Sequence, residues 1–159
     1  MDKILVSRCL LGHAVRYDGA AHGPIPRLLQ WQAEGRVVAL CPEVAGGLST
    51  PRPPAEIQGG QGGAVLDGLL AVRTVDGEDV GTAFLAGAQA ALALVRQHGI
   101  RVAVLKARSP SCGNLENYDG SFSGRRVPGE GVTAALLRRA GVRVFNEEQL
   151  AEAAQALAD

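Results

Sequence analysis

The sequence predicts an α/β protein with a parallel sheet, and three observations carry that prediction. Four short apolar runs, 4–7, 37–40, 102–105 and 142–145, have the length and β-branched content of buried strands. Helical stretches that end in glycine separate them. Cys9, Cys41 and Cys112, the only cysteines in the chain, each follow one of the first three runs. Parallel strands deliver such residues to the carboxyl edge of one sheet, where α/β proteins bind their ligands.

Taken in order, Ile4 to Ser7 is the first strand. A loop with three glycines and two prolines leads to a helix over 27–33, with Gly35 as its stop. Val37 to Leu40 is the second strand. Residues 42–63 are rich in Gly and Pro and show no helical or strand period, so they read as a long loop, functional or disordered. Residues 64–72 read as a small β-hairpin around Asp67-Gly68. Asp79 or Thr82 caps a long helix that reaches His98 and stops at Gly99. Val102 to Leu105 is the third strand, and 107–128 is a second long loop. A helix over 131–139, a fourth strand over 142–145 and a final helix over 147–157, capped by Asn146, complete the chain. The order β-α-β-α-β-α-β-α implies right-handed crossovers. The expectation is one domain over 1–159: a parallel sheet of about four strands with flanking helices and a small hairpin.

Composition removes several functions. Sixteen basic and sixteen acidic residues balance, which speaks against a nucleic-acid or anionic-membrane surface. One Trp, two Tyr and three Phe are too few for a base-stacking platform. The apolar stretch 83–95 falls short of a membrane span, and the first run is too short for a secretory signal. A cytoplasmic protein is expected. There an odd number of cysteines does not make a disulfide scaffold.

The loops carry the chemistry. Three converging thiolates suit a soft metal or an iron–sulfur cluster with one position left open. Glu43 lies two residues after Cys41 and reads as a base or as an exposed carboxylate. Ser109 and Ser111 flank Pro110 and read as substrate contacts or as turn formers. Asp18 and Asp119 each sit in Tyr-Asp-Gly, a common turn, and are weaker substrate candidates. Arg16 and Arg52 offer forks for a carbonyl or phosphate. His13 or His22 would make a Cys₃His zinc site with the thiols. Two function classes stay open: an iron–sulfur enzyme acting on a soft-sulfur substrate, and a structural-zinc module. Sulfur transfer is a third use of the same cysteines.

The combined motifs resemble the thiouracil desulfidase family. They are Cys9-Leu-Leu-Gly with Arg16-Tyr-Asp-Gly, Cys41-Pro-Glu with Gly-Gly-Leu48 and Pro51-Arg, and Ser109-Pro-Ser-Cys-Gly with the 118–124 segment Tyr-Asp-Gly-Ser-Phe-Ser-Gly. The resemblance implies a Rossmann-like fold and a [4Fe–4S] cluster held by Cys9, Cys41 and Cys112 alone. It implies that the fourth iron is open and takes the substrate's sulfur. The implied reaction is non-redox removal of sulfur from a thiolated pyrimidine such as 2-thiouracil, with Glu43 and Ser109 as the acid/base pair.

Overall fold

The computed structural model describes residues 1–159. In chain order the elements are β1 (Ile4–Ser7), a 3₁₀ turn (Arg8–Leu11), α1 (Pro26–Ala33), β2 (Val37–Leu40), α2 (Pro42–Ala45), β3 (Ala55–Ile57), α3 (Gly62–Leu66), β4 (Val72–Thr74), α4 (Gly81–His98), β5 (Val102–Leu105), β6 (Glu116–Tyr118), β7 (Arg126–Pro128), α5 (Val132–Arg139), β8 (Arg143–Asn146) and α6 (Leu150–Ala158). The four predicted strands form one parallel sheet in the order β2-β1-β5-β8.

Both faces of the central strands β1 and β5 are covered, which is why these strands read as near-continuous apolar runs. Side chains alternate across a strand. Ile4 and Val6 therefore pack with Leu28 and Trp31 of α1 and Ala153 and Ala156 of α6. Leu5, between them, packs on the other face with Ala91, Leu92 and Val95 of α4 and Leu137 of α5. After β1 the chain moves to one side for β2, and later crosses to the other side for β5. Loops leaving β1 and β5 thus diverge and open a crevice at the carboxyl edge, the usual ligand position in this architecture. No helix is long and apolar enough to cross a membrane.

Some helix ends follow the sequence signals, but the N-cap of α4 is Val80 rather than Asp79 or Thr82, with no side-chain cap bond. Pro26 sits in the first turn of α1, where its missing N–H costs nothing. Asp79 Oδ1 accepts the Gly81 N–H at 2.9 Å and so supports the start of α4. Gly99 closes that helix in the left-handed region, at φ 63°.

Four expectations are corrected. The hairpin over 64–72 does not form. Residues 62–66 are the helix α3, Gly68 turns the chain at φ 77°, and β4 pairs instead with β3. A short apolar run fits either period, and packing of Val65 against Ile57, Val72 and Val132 decides it. The loop over 42–63 contains α2 and β3, and the loop over 107–128 contains the antiparallel pair β6–β7. The last helix starts at Leu150, not 147. Asn146 ends β8, and its side chain accepts the Glu148 N–H at 2.8 Å in a turn before the helix.

The approach of α2 to α4 positions the site. A Cβ on Gly87 of α4 would lie 2.0 Å from the carbonyl oxygen of Pro42. That is closer than any real contact, so only glycine lets α2 dock there. Gly87→Ala is expected to destabilise the fold by about 1–3 kcal/mol through overpacking. Urea unfolding checks this; an unchanged midpoint would contradict the close approach.

Candidate active site

Cys9 lies in the 3₁₀ turn after β1, Cys41 directly after β2, and Cys112 in the turn seven residues past β5. All three line one cavity of about 610 Å³ at the carboxyl edge of the sheet, together with Glu43, Arg16, Arg52 and Ser109. That volume is in the range of small-molecule sites, roughly 300–1,000 Å³. None of the cysteines is in a disulfide. Burial pushes the Cys9 thiol up to about 11 and the Cys112 thiol up to about 12, and Cys41 adds to both by its nearby charge. The Ser7 hydroxyl, 3.5 Å from the Cys112 sulfur, partly opposes that rise. Thiols this basic are protonated at neutral pH, so loading a metal group releases protons.

The donor set is chemically compatible with an iron–sulfur cluster. Tetrahedral zinc draws its sulfurs to about 2.3 Å from one point. No three His, Cys, Asp or Glu side chains are gathered closely enough to hold one ion. The histidines do not complete a zinc site. His13 accepts from Arg8 Nε at 2.9 Å, His22 bonds the Gly23 carbonyl at 2.7 Å, and neither lines the cavity. Three thiols on one cavity supply soft sulfur donors of the kind that iron–sulfur clusters take.

Glu43 projects from the first turn of α2, next to Cys41. Burial raises its carboxyl above the ordinary value, against the opposing pull of Arg52. Arg52 is almost fully buried and its hydrogen bonds are mostly committed. Nε donates to Glu43 Oε1 at 3.2 Å, Nη1 to the Ser49 carbonyl and Thr50 Oγ1, and Nη2 to the Val15 carbonyl, each at 3.0 Å. It ties the loops after β1 and β2 together and orients Glu43.

Ser109 is fixed just as firmly. Its Oγ accepts the Ser111 N–H at 3.1 Å and the Cys112 N–H at 3.0 Å. With both lone pairs engaged, its remaining capacity is to donate.

The sequence profile of the family described as 2-thiouracil desulfurase matches residues 4–149. The chain belongs to that family. A solved structure described as a [4Fe–4S]-dependent thiouracil desulfidase, TudS, is 52% identical, covers 99% of both chains and superposes with a TM-score of 0.91. An uncharacterised protein of Bacillus subtilis, YbbK, is 46% identical over 147 residues, or 92% of this chain and 97% of that one. The 2-thiouracil desulfurase family is an enzyme family, and the mixed α/β fold is the one TudS has.

In this family member three of the candidate residues lie outside the cavity lining. Ser111 is buried and its hydroxyl bonds Thr133 Oγ1 at 2.8 Å, which anchors the Cys112 turn to α5. Asp18 accepts the Ala20 N–H at 2.9 Å in a local turn. Asp119 does the same for Ser121 at 2.9 Å, and the Ser121 hydrogen bonds hold its carboxyl below the usual range. Sequence reading passed over several lining residues: Arg8, Glu56, Lys106, Arg108 and Phe122. Lys106 and Arg108 flank the turn into the Cys112 loop, and Phe122 lies inside the 118–124 motif, so position relative to the motifs was the available signal.

Lys106 is paired with Glu147 at 2.8 Å, and Glu147 also accepts the Ala107 N–H at 2.7 Å. Burial raises the Glu147 carboxyl, but these partners outweigh it and leave the value lowered. A lowered folded value stabilises the protein above the unfolded carboxylate value of about 4.3, and the gain is lost as pH falls through the folded value. Glu147→Gln is expected to cost about 1–3 kcal/mol at pH 7 and to flatten the acid limb of the stability curve. Parallel acid limbs in chemical denaturation of the two proteins would contradict that.

Proposed function

We propose that the chain desulfurates a thiolated pyrimidine such as 2-thiouracil, with Cys9, Cys41 and Cys112 holding a [4Fe–4S] cluster that has one iron free of cysteine. The observation that carries this reading is the meeting of three thiols, Glu43 and Ser109 on one cavity. The chain has no fourth cysteine. The desulfidase name of a relative that is 52% identical over essentially the whole chain supports it. When bound, the cluster supplies a soft Lewis acid suited to a thiocarbonyl sulfur.

The chain's residues supply the rest. Glu43, aimed by Arg52, takes a proton from the water that attacks the thiocarbonyl carbon. Ser109, with both acceptor positions filled, donates its proton to a ring oxygen or nitrogen and holds the ring in place. The balance is thiocarbonyl plus water to carbonyl plus hydrogen sulfide. Carbon keeps its oxidation state, so no electron donor is consumed. One domain performs the whole reaction on a small molecule, without nucleic acid or membrane. Unpaired cysteines at the site suit the reducing cytoplasm.

Anaerobic purification with iron, sulfide and zinc determination tests the cofactor. About four irons and four sulfides per chain are expected. Stoichiometric zinc without iron would favour a structural-zinc role for the same cysteines.

A further inference from the structure

Three aromatic side chains line the cavity: Tyr17, Tyr118 and Phe122. Tyr17 is 42% exposed. Phe122 is half-buried and stands apart in its backbone, at φ 56°; Arg108 is the only other non-glycine residue with positive φ. That region is unfavourable for a bulky residue, and proteins keep such residues there when the surroundings enforce it, most often at functional sites.

The enforcement is visible. Glu56 of β3 also lines the cavity, and its Oε1 accepts the Phe122 N–H at 3.2 Å and the Gly120 N–H at 2.9 Å. Gly120 passes so near β3 that a Cβ would lie 2.7 Å from the Gln58 Cα. Gly59 N–H donates to the Asp119 carbonyl at 2.9 Å. The segment 119–122 is therefore fastened to the end of β3, and the fastening presents the Phe122 ring to the cavity that holds the three thiols.

We propose that Phe122 is a specificity-determining residue that stacks on the planar ring of the substrate, and that Glu56 is the positioning residue that holds it there. This rests on the thiolated-pyrimidine reading given above. Glu43 and Ser109 act at the reacting carbon and the polar edge of the ring. A flat conjugated ring also offers a π-face, and an aromatic side chain recognises that face whatever the edge carries.

The test compares 2-thiouracil with 5,6-dihydro-2-thiouracil, which keeps the N–C(=S)–N unit and loses the flat conjugated ring. Cluster-loaded wild type, F122A, F122L, F122Y, E56A and E56Q are assayed, with iron content and thermal melting as folding controls. Stacking of a base on an aromatic side chain changes binding roughly 5- to 150-fold. F122A is expected to raise KM for 2-thiouracil about tenfold, in the lower part of that range, with kcat within about twofold. KM for the dihydro compound stays within about twofold. F122Y restores the preference, while F122L, with bulk but no π-face, does not. E56A reproduces the F122A pattern, and E56Q, whose amide oxygen still accepts both N–H groups, recovers most of the lost affinity. An equal rise for both compounds, or wild-type behaviour in F122L, overturns the proposal. F122L and F122Y decide the question if F122A does not fold. Uracil and dihydrouracil binding, followed by calorimetry at millimolar ligand, reads the same wall without turnover. A preference for uracil that F122A abolishes supports the stacking; equal affinities in wild type contradict it. Inactivity of wild type on 2-thiouracil would count against the functional reading alone.

Discussion

Replacing Cys9, Cys41 or Cys112 by Ser, one at a time, is expected to remove the cluster and with it all measurable desulfuration. Each cysteine lies in the segment that follows a different strand, β1, β2 or β5, so no neighbour on the same loop can substitute. Serine keeps the size of the side chain and loses the soft thiolate that binds iron. The buried positions of Cys9 and Cys112 tolerate an isosteric change better than a larger one, so the variants should fold while staying colourless. Iron content and visible absorbance after anaerobic reconstitution, with thermal melting as the control, check this. A Cys→Ser variant that retains full iron and activity would remove that residue from the ligand set.

Glu43→Gln separates binding from chemistry. The amide preserves shape and still accepts from Arg52 Nε, so the cluster's absorbance should be unaltered. Turnover should fall about 10²–10⁴-fold, the usual contribution of a general base. Conversion of 2-thiouracil under anaerobic conditions, normalised to iron, measures it. A wild-type rate would move the base elsewhere. Asp18 and Asp119 are committed to local turns away from the cavity, so Glu56, the other carboxylate on the lining, would become the candidate.

The parallel sheet was legible because the central strands β1 and β5 are short runs buried between helix layers, and the edge strands β2 and β8, only partly buried, still carry Val, Ala or Phe at their middle positions. Gly35 and Gly99 marked helix ends for the reason they are glycines: each adopts positive φ after the last turn. The small elements were not legible. α2 and α3 have four and five residues, too few to show a period, and contacts with distant backbone define them. Gly46 and Gly87 let α2 meet α4, and Gly62 lies where a Cβ would be 2.4 Å from the carbonyl oxygen of Glu130. Such approaches leave only a glycine in the sequence, which reads as a loop.

At the site, the cysteines were visible by topology alone. Arg52 was visible as a cation but not as a strut, because its partners Glu43 and Val15 meet it only in three dimensions. Glu56 and Phe122 were hidden by the same cause: β3 looks like part of a proline-rich loop, and nothing local announces that a loop more than sixty residues away hangs from its carboxylate.

The most direct test of the whole account is a single anaerobic incubation. Cluster-loaded protein is mixed with excess 2-thiouracil and no reductant, and uracil and sulfide are measured over many turnovers. Uracil and sulfide are expected in equal amounts, with no electron donor consumed. Failure to form uracil, or turnover that strictly requires a stoichiometric reductant, would contradict that.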